Sequence, residues 1–270
     1  RLGVVVHAEH YSVNSTDHQY ILWNNYYDYQ FTNADKVDFF IVATDRQKEI
    51  LSEQFAKYTN HCPDIYTIPV GSLASLPNSD QRKPFSIITA SRLASEKHID
   101  WLVRAVVRAK GEIPELSFDI YGKGGEEGKI RSLIDDLAAS EYIKLKGHAD
   151  LAEVYKNYEI YLSASTSEGF GLTLMEAIGS GLTIIGFDVP YGNQTFVVEG
   201  KNGYLIPNSV DQVVDRIADA FSEKIVKVYR NHELESMRQA SYARAEDFLT
   251  IRVEEAWRLL IEEVTHVKSV

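Results

Sequence analysis

The chain has 270 residues, 44% hydrophobic and 25% charged, with a formal net charge of −11, an ordinary balance for a globular α/β protein of one domain, or one domain and part of another. That acidity excludes a general nucleic-acid binder, which carries a basic stripe. Cys62 is the single cysteine, so no internal disulfide or thiolate metal site can be built, which fits a reducing cytoplasm, and no apolar run approaches the roughly 18 residues that span a bilayer.

In chain order, Val4 to His7 reads as a buried strand. The opening Leu2-Gly3-Val4-Val5-Val6 is too short for a signal-peptide core. The chain begins at Arg1 rather than Met, which predicts a segment upstream. Phe39 to Thr44 and Ile65 to Pro69 are two further strands. Between them, Thr44-Asp45-Arg46-Gln47 has capping-box spacing and opens an amphipathic helix. Leu73 to Pro84 is rich in Ser, Pro, Asn and Asp, the composition of a linker.

A second series follows. Strands are predicted at Phe85 to Ala90, Leu116 to Tyr121, Ile143 to Leu145, Ile160 to Ala164 and Thr183 to Phe187. Helices are predicted between them at Ile99 to Ala109, Lys129 to Ala139, Leu151 to Asn157 and Thr173 to Ser180. Strict β/α alternation implies a parallel sheet covered on both faces, a doubly wound Rossmann-like domain. Val210 to about Val264 is mostly helical. The three strand units before the linker are too few for a good sheet alone and read as the end of an earlier domain. The expected organisation is therefore 1–78 as the C-terminal part of a first Rossmann domain, 79–220 as a ligand-binding Rossmann domain, and 221–270 as helices crossing back to the first.

The densest candidate site is Glu168-Gly169-Phe170-Gly171-Leu172-Thr173-Leu174-Met175-Glu176, between a strand and a helix. Ligands of doubly wound sheets bind at strand carboxyl ends, where helix N-termini present free N–H groups. Gly169 and Gly171 let the backbone approach a phosphate, and the helix dipole favours its charge. Glu168 and Glu176 can each accept hydrogen bonds from vicinal hydroxyls, the mark of a sugar. Thr173 to Glu176 also has capping-box spacing, so Glu176 could serve only a backbone donor.

Arg92 and Lys97, in Ser91-Arg92-Leu93-Ala94-Ser95-Glu96-Lys97, follow the first strand of the second series. Two cations there could neutralise a diphosphate leaving group without a metal; two solvated surface cations are the alternative. Gly122-Lys123-Gly124-Gly125-Glu126 lacks both GxGxxG and GxxxxGK[ST] and reads as a tight turn. His7 and His10 follow the first strand; without further ligands they do not predict zinc, though one could face a cleft. Asn202-Gly203 is a hairpin-type turn without chemistry.

Together these motifs resemble the donor half of the large retaining GT-B glycosyltransferase family with the E-x7-E signature. Ser91-Arg92-Leu93 with Glu96-Lys97 is similar to that family's donor-phosphate motif, Glu168 through Glu176 to its signature, and Asp188 and Gly200 to Leu205 to the segment that follows. This likeness spans about residues 84 to 207. Val4 to Ser12, Tyr26 to Phe31 and Thr89 to His98 narrow it to the adhesin-modifying glycosyltransferases of streptococcal accessory secretion systems, with the wall-teichoic-acid N-acetylglucosaminyltransferases as the nearest confusable group.

The resemblance implies UDP-N-acetylglucosamine as donor, Ser and Thr of serine-rich adhesins as acceptor, and a homologous non-catalytic partner subunit. It implies a bacterial cytoplasmic protein, with the assembled complex peripheral at the inner face of the membrane. Arg92 and Lys97 would hold the diphosphate and stabilise it as it leaves. Glu176 would bind the ribose, and Glu168 the sugar hydroxyls with the Gly169, Phe170, Gly171 and Leu172 backbone. Gly147 and His148 would lie near the uracil, and His7, or alternatively His10, would reach the sugar. Transfer would be retaining and need no metal or other cofactor. Family members carry a complete first Rossmann domain, and this subgroup a β-rich insertion as well, so the chain is expected to bind UDP-sugar without being a whole enzyme. Two other readings are a non-catalytic chaperone-like subunit, which would have no reason to keep all of Arg92, Lys97, Glu168 and Glu176, and a sugar phosphorylase or synthase.

Overall fold

The computed structural model of the chain describes residues 1–6, 11–13, 20–22, 31–79, 81–208 and 213–265. His7, His10 and Tyr26 to Gln30 lie outside the described residues.

Six strands build the larger sheet: β6 (Ser86–Ala90), β7 (Ser117–Tyr121), β8 (Ile143–Gly147), β9 (Ile160–Ser163), β10 (Thr183–Asp188) and β11 (Gly203–Pro207). All pair in parallel in the order β11-β10-β9-β6-β7-β8. β6 and β9 are buried along their whole length, as strands covered on both faces must be, and so they read as nearly continuous apolar runs. Successive residues part to opposite faces. Ile87, Leu162, Ile185 and Phe187 meet helices Ile99–Lys110 and Val214–Arg230 on one side. Ile88, Tyr161 and Ile184 meet helices Leu172–Gly179 and Leu234–Ala245 on the other. Edge strand β8 instead alternates, with Lys144 and Lys146 exposed, charges that discourage further strand pairing. The chain builds outward from β6 to β8, returns to β9 and then builds the other way. A crevice therefore opens beyond the carboxyl ends of β6 and β9, the topological switch point.

The smaller parallel sheet has the order β1 (Gly3–Val6), β4 (Phe39–Val42), β5 (Asp64–Thr67). Between β1 and β4, β2 (Tyr11–Val13) and β3 (Tyr20–Leu22) form a separate antiparallel pair. Phe40, Val42 and Ile65 pack against Leu51 and Phe55 of helix Asp45–Tyr58. That helix starts as its spacing predicts. Thr44 Oγ1 accepts from Gln47 N at 3.0 Å, and the Gln47 amide oxygen reaches back to Ala43 N at 2.9 Å. The opposite face, with Phe39, Ile41 and Ile68, is covered by Val253 and Leu260 of helix Thr250–Thr265 from the far end of the chain. Tyr66 donates to Glu263 Oε1 at 2.6 Å along the same contact. Three strands are thus complemented on both faces by helices distant from one another in sequence.

The outgoing and returning segments run together: Leu73 N donates to Phe248 O at 2.8 Å and Thr250 N to Leu73 O at 2.9 Å. Arg82 then ties the outgoing segment down, donating to Tyr158 O and Ser180 O, each at 2.6 Å. Two local predictions are corrected. Leu151 to Asn157 is a turn ending in a 3-10 helix, Tyr155–Asn157, rather than an α-helix. Asn202-Gly203 joins helix Gly192–Phe196 to parallel β11 and is no hairpin; the buried Asn202 amide holds that turn through Val198 N at 2.7 Å and Phe196 O at 2.9 Å.

Candidate functional site

The crevice at the switch point contains a cavity of about 400 Å³, within the range of small-molecule sites. Its walls come from the loop after β6 (Ser91, Arg92, Lys97), the end of β9 (Ser163 to Ser165) and the run Glu168 to Thr173. Arg92, Lys97, Glu168 and Gly169 to Leu172, residues that the sequence singles out in two separate motifs, therefore share one space.

Lys97 closes a short 3-10 helix, Ser95–Lys97, and His98 behind it adopts a left-handed conformation with φ of 45° that opens the next helix. The His98 ring stacks on Trp101, centroids 3.7 Å apart, and burial lowers its pKa. This anchor fixes where Lys97 leaves the backbone. Lys97 Nζ reaches across the switch point to Glu168 Oε2 at 2.7 Å. Arg92 is different: its side chain is 79% exposed and pairs with Glu96, four residues on, at 3.1 Å. It lines the rim, free to turn toward an anion.

The Glu168 loop is fixed from behind. Tyr191 N donates to Glu168 O at 2.8 Å, and Gly192 lies so close that a Cβ there would stand 2.5 Å from Phe170 O. Phe170 anchors the loop in the core against Phe196 and Phe248. Gly171, with φ of 82°, is the N-cap of helix Leu172–Gly179, a conformation that glycine adopts without strain. Thr173 is thus inside the helix rather than at its cap, and the capping-box reading of Glu176 is set aside. The Thr173 hydroxyl instead pairs with Tyr161 OH at 2.9 Å, and Tyr161 also donates to Ala90 O at 2.9 Å. The N-terminus of this helix lies at the cavity that Gly169 to Thr173 line.

A second cavity of about 410 Å³ adjoins the first through Ala90, Ser91, Arg92 and Thr173. Tyr121, Gly122, Lys123, His148, Ala149 and Leu151 complete it. His148 therefore stands beside the Arg92 loop. Gly147 is not on the wall; its φ is 73° and its carbonyl accepts Gly122 N at 2.8 Å, which makes it the turn that presents His148. The glycine turn after β7 is more than a turn. A Cβ on Gly122 would collide with Ser91 O, and one on Gly124 with Leu93 O. Both glycines thus let this loop lie against the Arg92 loop, which brings Lys123 to the cavity.

Glu176 does not share a wall with Glu168. It lies in a third cavity of about 250 Å³ with Ser72 to Ser75, Asp150, Glu153 and Tyr155, which meets the second at Leu151. Burial raises the Glu176 pKa, partly offset by the neighbouring Tyr155 hydroxyl. Lys123 and Thr173 lie inside motifs that the sequence singles out, but the first reads as a tight turn and the second as a helix start, while Tyr155 reads as core. Among the described residues no helix is long and apolar enough to cross a membrane.

Residues 77–244 match the family described as "Glycosyl transferases group 1". The chain belongs to that family. This glycosyl transferase chain is 66% identical, over 98% of its length, to the UDP-N-acetylglucosamine--peptide N-acetylglucosaminyltransferase GtfA subunit of Streptococcus pneumoniae serotype 4 (strain ATCC BAA-334 / TIGR4). It covers 53% of that relative; the chain spans about half the length of the curated relatives it matches. The crystal structure of the pneumococcal O-GlcNAc transferase GtfA in complex with UDP and GlcNAc has a TM-score of 0.92 at 66% identity, with 98% of this chain and 53% of that one covered. A crystal structure of the GtfA/B complex gives 0.93 at 62% identity, covering 98% and 53%. The fold and family expected from the sequence are those found.

Proposed function

We propose that this chain is the nucleotide-sugar half of a retaining glycosyltransferase that moves N-acetylglucosamine from UDP-N-acetylglucosamine to Ser and Thr hydroxyls of serine-rich adhesins, working with a homologous non-catalytic partner subunit. The observation that carries this reading is the convergence of Arg92, the Lys97–Glu168 pair and the N-terminus of helix 172–179 on one cavity. Two cations and free backbone N–H groups suit a diphosphate, and a carboxylate beside them suits the hydroxyls of the sugar it carries. The similarity to a GtfA subunit supports the choice of donor and acceptor, and the likeness to a GtfA/B complex supports the partner.

In this reading Arg92 and Lys97 bind the diphosphate, Glu168 accepts from sugar hydroxyls, and the 169–172 backbone lies along the sugar phosphate. Lys123 and His148 flank the uracil, and Glu176 accepts from the ribose hydroxyls at the far end. His7, or alternatively His10, is the residue assigned to reach the sugar. As the bond from the anomeric carbon to the β-phosphate oxygen breaks, negative charge grows on the diphosphate and positive charge on an oxocarbenium-like sugar. Fixed cations stabilise that leaving group without reorganising. The acceptor hydroxyl bonds the anomeric carbon from the face the phosphate leaves, and its proton passes to the departing phosphate oxygen. Arg92 and Lys97 do the work that a divalent metal does elsewhere, so the reading includes no metal. A bacterial cytoplasmic location, with the complex peripheral at the inner face of the membrane, belongs to the same proposal.

Calorimetric titration of the chain with UDP-N-acetylglucosamine, UDP-glucose and GDP-mannose tests the donor half. Tight binding of the first, lost in Lys97→Ala, is expected; equal binding of all three would overturn the donor assignment. In the protein that carries this chain, transfer to a poly(ribitol phosphate) instead of a serine-rich peptide would overturn the acceptor.

A further inference from the structure

Tyr155 opens the 3-10 helix Tyr155–Asn157 at the floor of the third cavity, and its side chain is completely buried. Its hydroxyl has no hydrogen-bond partner of normal geometry among the described residues. A phenol placed so costs more than a phenylalanine would unless a polar group lies within its reach. The cavity holds three carboxylates, Asp150, Glu153 and Glu176, and the one that acts on the Tyr155 hydroxyl is Glu176.

The next tyrosine along shows what such a position does. Tyr161, its ring centroid 6.1 Å from that of Tyr155, lies under the first turn of helix 172–179 and fixes Thr173 through its hydroxyl at 2.9 Å. Glu176 is three residues beyond Thr173, one turn along the same face. Tyr155, on a 3-10 helix that packs against helix 172–179, lines the third cavity together with Glu176. We propose that Tyr155 is the positioning residue of Glu176: its hydroxyl donates to one carboxylate oxygen from beneath the helix and leaves the other facing the vicinal hydroxyls of the nucleotide ribose. A carboxylate at the mouth of a groove can otherwise rotate, and a diol needs its acceptor held in one plane.

This inference rests on the reading that Glu176 binds the ribose, and the test separates the two. Dissociation constants of UDP and 2′-deoxy-UDP are measured by calorimetry for the chain, Tyr155→Phe and Glu176→Ala, with thermal unfolding alongside. Tyr155→Phe is expected to fold, because it keeps the buried ring and removes only the hydroxyl. It should weaken UDP about fivefold, the effect of one net hydrogen bond, and narrow the preference for UDP over 2′-deoxy-UDP by the same factor. The acid limb of UDP binding should also move to higher pH, since the hydroxyl no longer favours the ionised carboxylate, a shift that a merely structural tyrosine would not give. A preference abolished by Glu176→Ala but untouched by Tyr155→Phe would overturn the positioning role alone. A preference untouched by either would overturn the ribose assignment and the positioning role with it.

Discussion

Lys97 Nζ stands 2.7 Å from Glu168 Oε2, and only 14% and 18% of the two side chains is exposed. One residue follows β6 and the other β9, so the pair spans the point where the sheet reverses its winding. An ion pair this enclosed contributes less net stability than its contact distance implies, but removing one partner strands the other.

Lys97→Met should therefore destabilise the chain by about 1–3 kcal/mol, less than a fully buried pair because both groups retain some water. Adding Glu168→Leu should recover most of that loss while UDP binding stays abolished. Urea denaturation of the two single variants and the double variant, beside a UDP titration, measures both halves. A double variant no more stable than Lys97→Met would mean that the pair is not the source of the effect.

Arg92 predicts the reverse pattern. With its side chain 79% exposed and its partner Glu96 42% exposed, Arg92→Ala should leave stability within about 0.5 kcal/mol. UDP affinity should fall about 10- to 100-fold, the effect of losing charged hydrogen bonds to phosphate. Titrations at two ionic strengths should also show a shallower salt dependence in the variant.

Gly192→Ala places a methyl 2.5 Å from Phe170 O and 3.3 Å from Glu168 Cγ. The Glu168 loop must shift, so the advantage of UDP-N-acetylglucosamine over UDP should shrink while UDP itself still binds. Gly200, with φ of 71° and open space around it, is the control. Gly200→Ala should cost about 1 kcal/mol from its backbone conformation alone and leave both affinities unchanged.

Glu159 gives a pH signature. Its Oε2 accepts from Phe85 N at 2.8 Å and Tyr229 OH at 3.1 Å, yet burial outweighs these bonds and raises its pKa above the ordinary 4.5. The native state thus holds this proton more tightly than the unfolded chain. The stability it contributes is complete below pH 4.5 and is lost as pH rises through the raised value. Glu159→Gln keeps an acceptor without that charge. The Tm of the variant relative to the parent should increase from about pH 4 to about pH 7.

Local chemistry decides which of these features the sequence exposes. The burial of β6 and β9 on both faces writes itself as unbroken apolar runs, so the parallel sheet is legible from Ile87-Ile88 and Ile160 to Leu162 alone. The Arg92–Lys97 and Glu168–Glu176 motifs are legible because each is contiguous. What joins them is not: the contact between Lys97 and Glu168 depends on strand order, which alternation does not specify. Glu176 has the same difficulty in reverse. Eight residues from Glu168 in the chain, it turns to a different groove because Gly171, rather than Thr173, starts the helix. Tyr155 and Lys123 line the adjoining cavities by tertiary placement, which the spacing of their own segments does not specify.

The loop after β6 is stitched to the loop after β7 by Ser91 N to Tyr121 O at 3.1 Å, Leu93 N to Lys123 O at 2.9 Å and Glu126 N to Leu93 O at 3.0 Å. The backbone that carries Arg92 therefore has little conformational entropy left to lose when an anion arrives. Its ordering occurred when the sheet formed, and only the guanidinium remains to be immobilised. A ligand meeting this rim encounters a surface already shaped for it, so affinity there depends on charge and contact rather than on the disorder that a glycine-rich loop would otherwise bring.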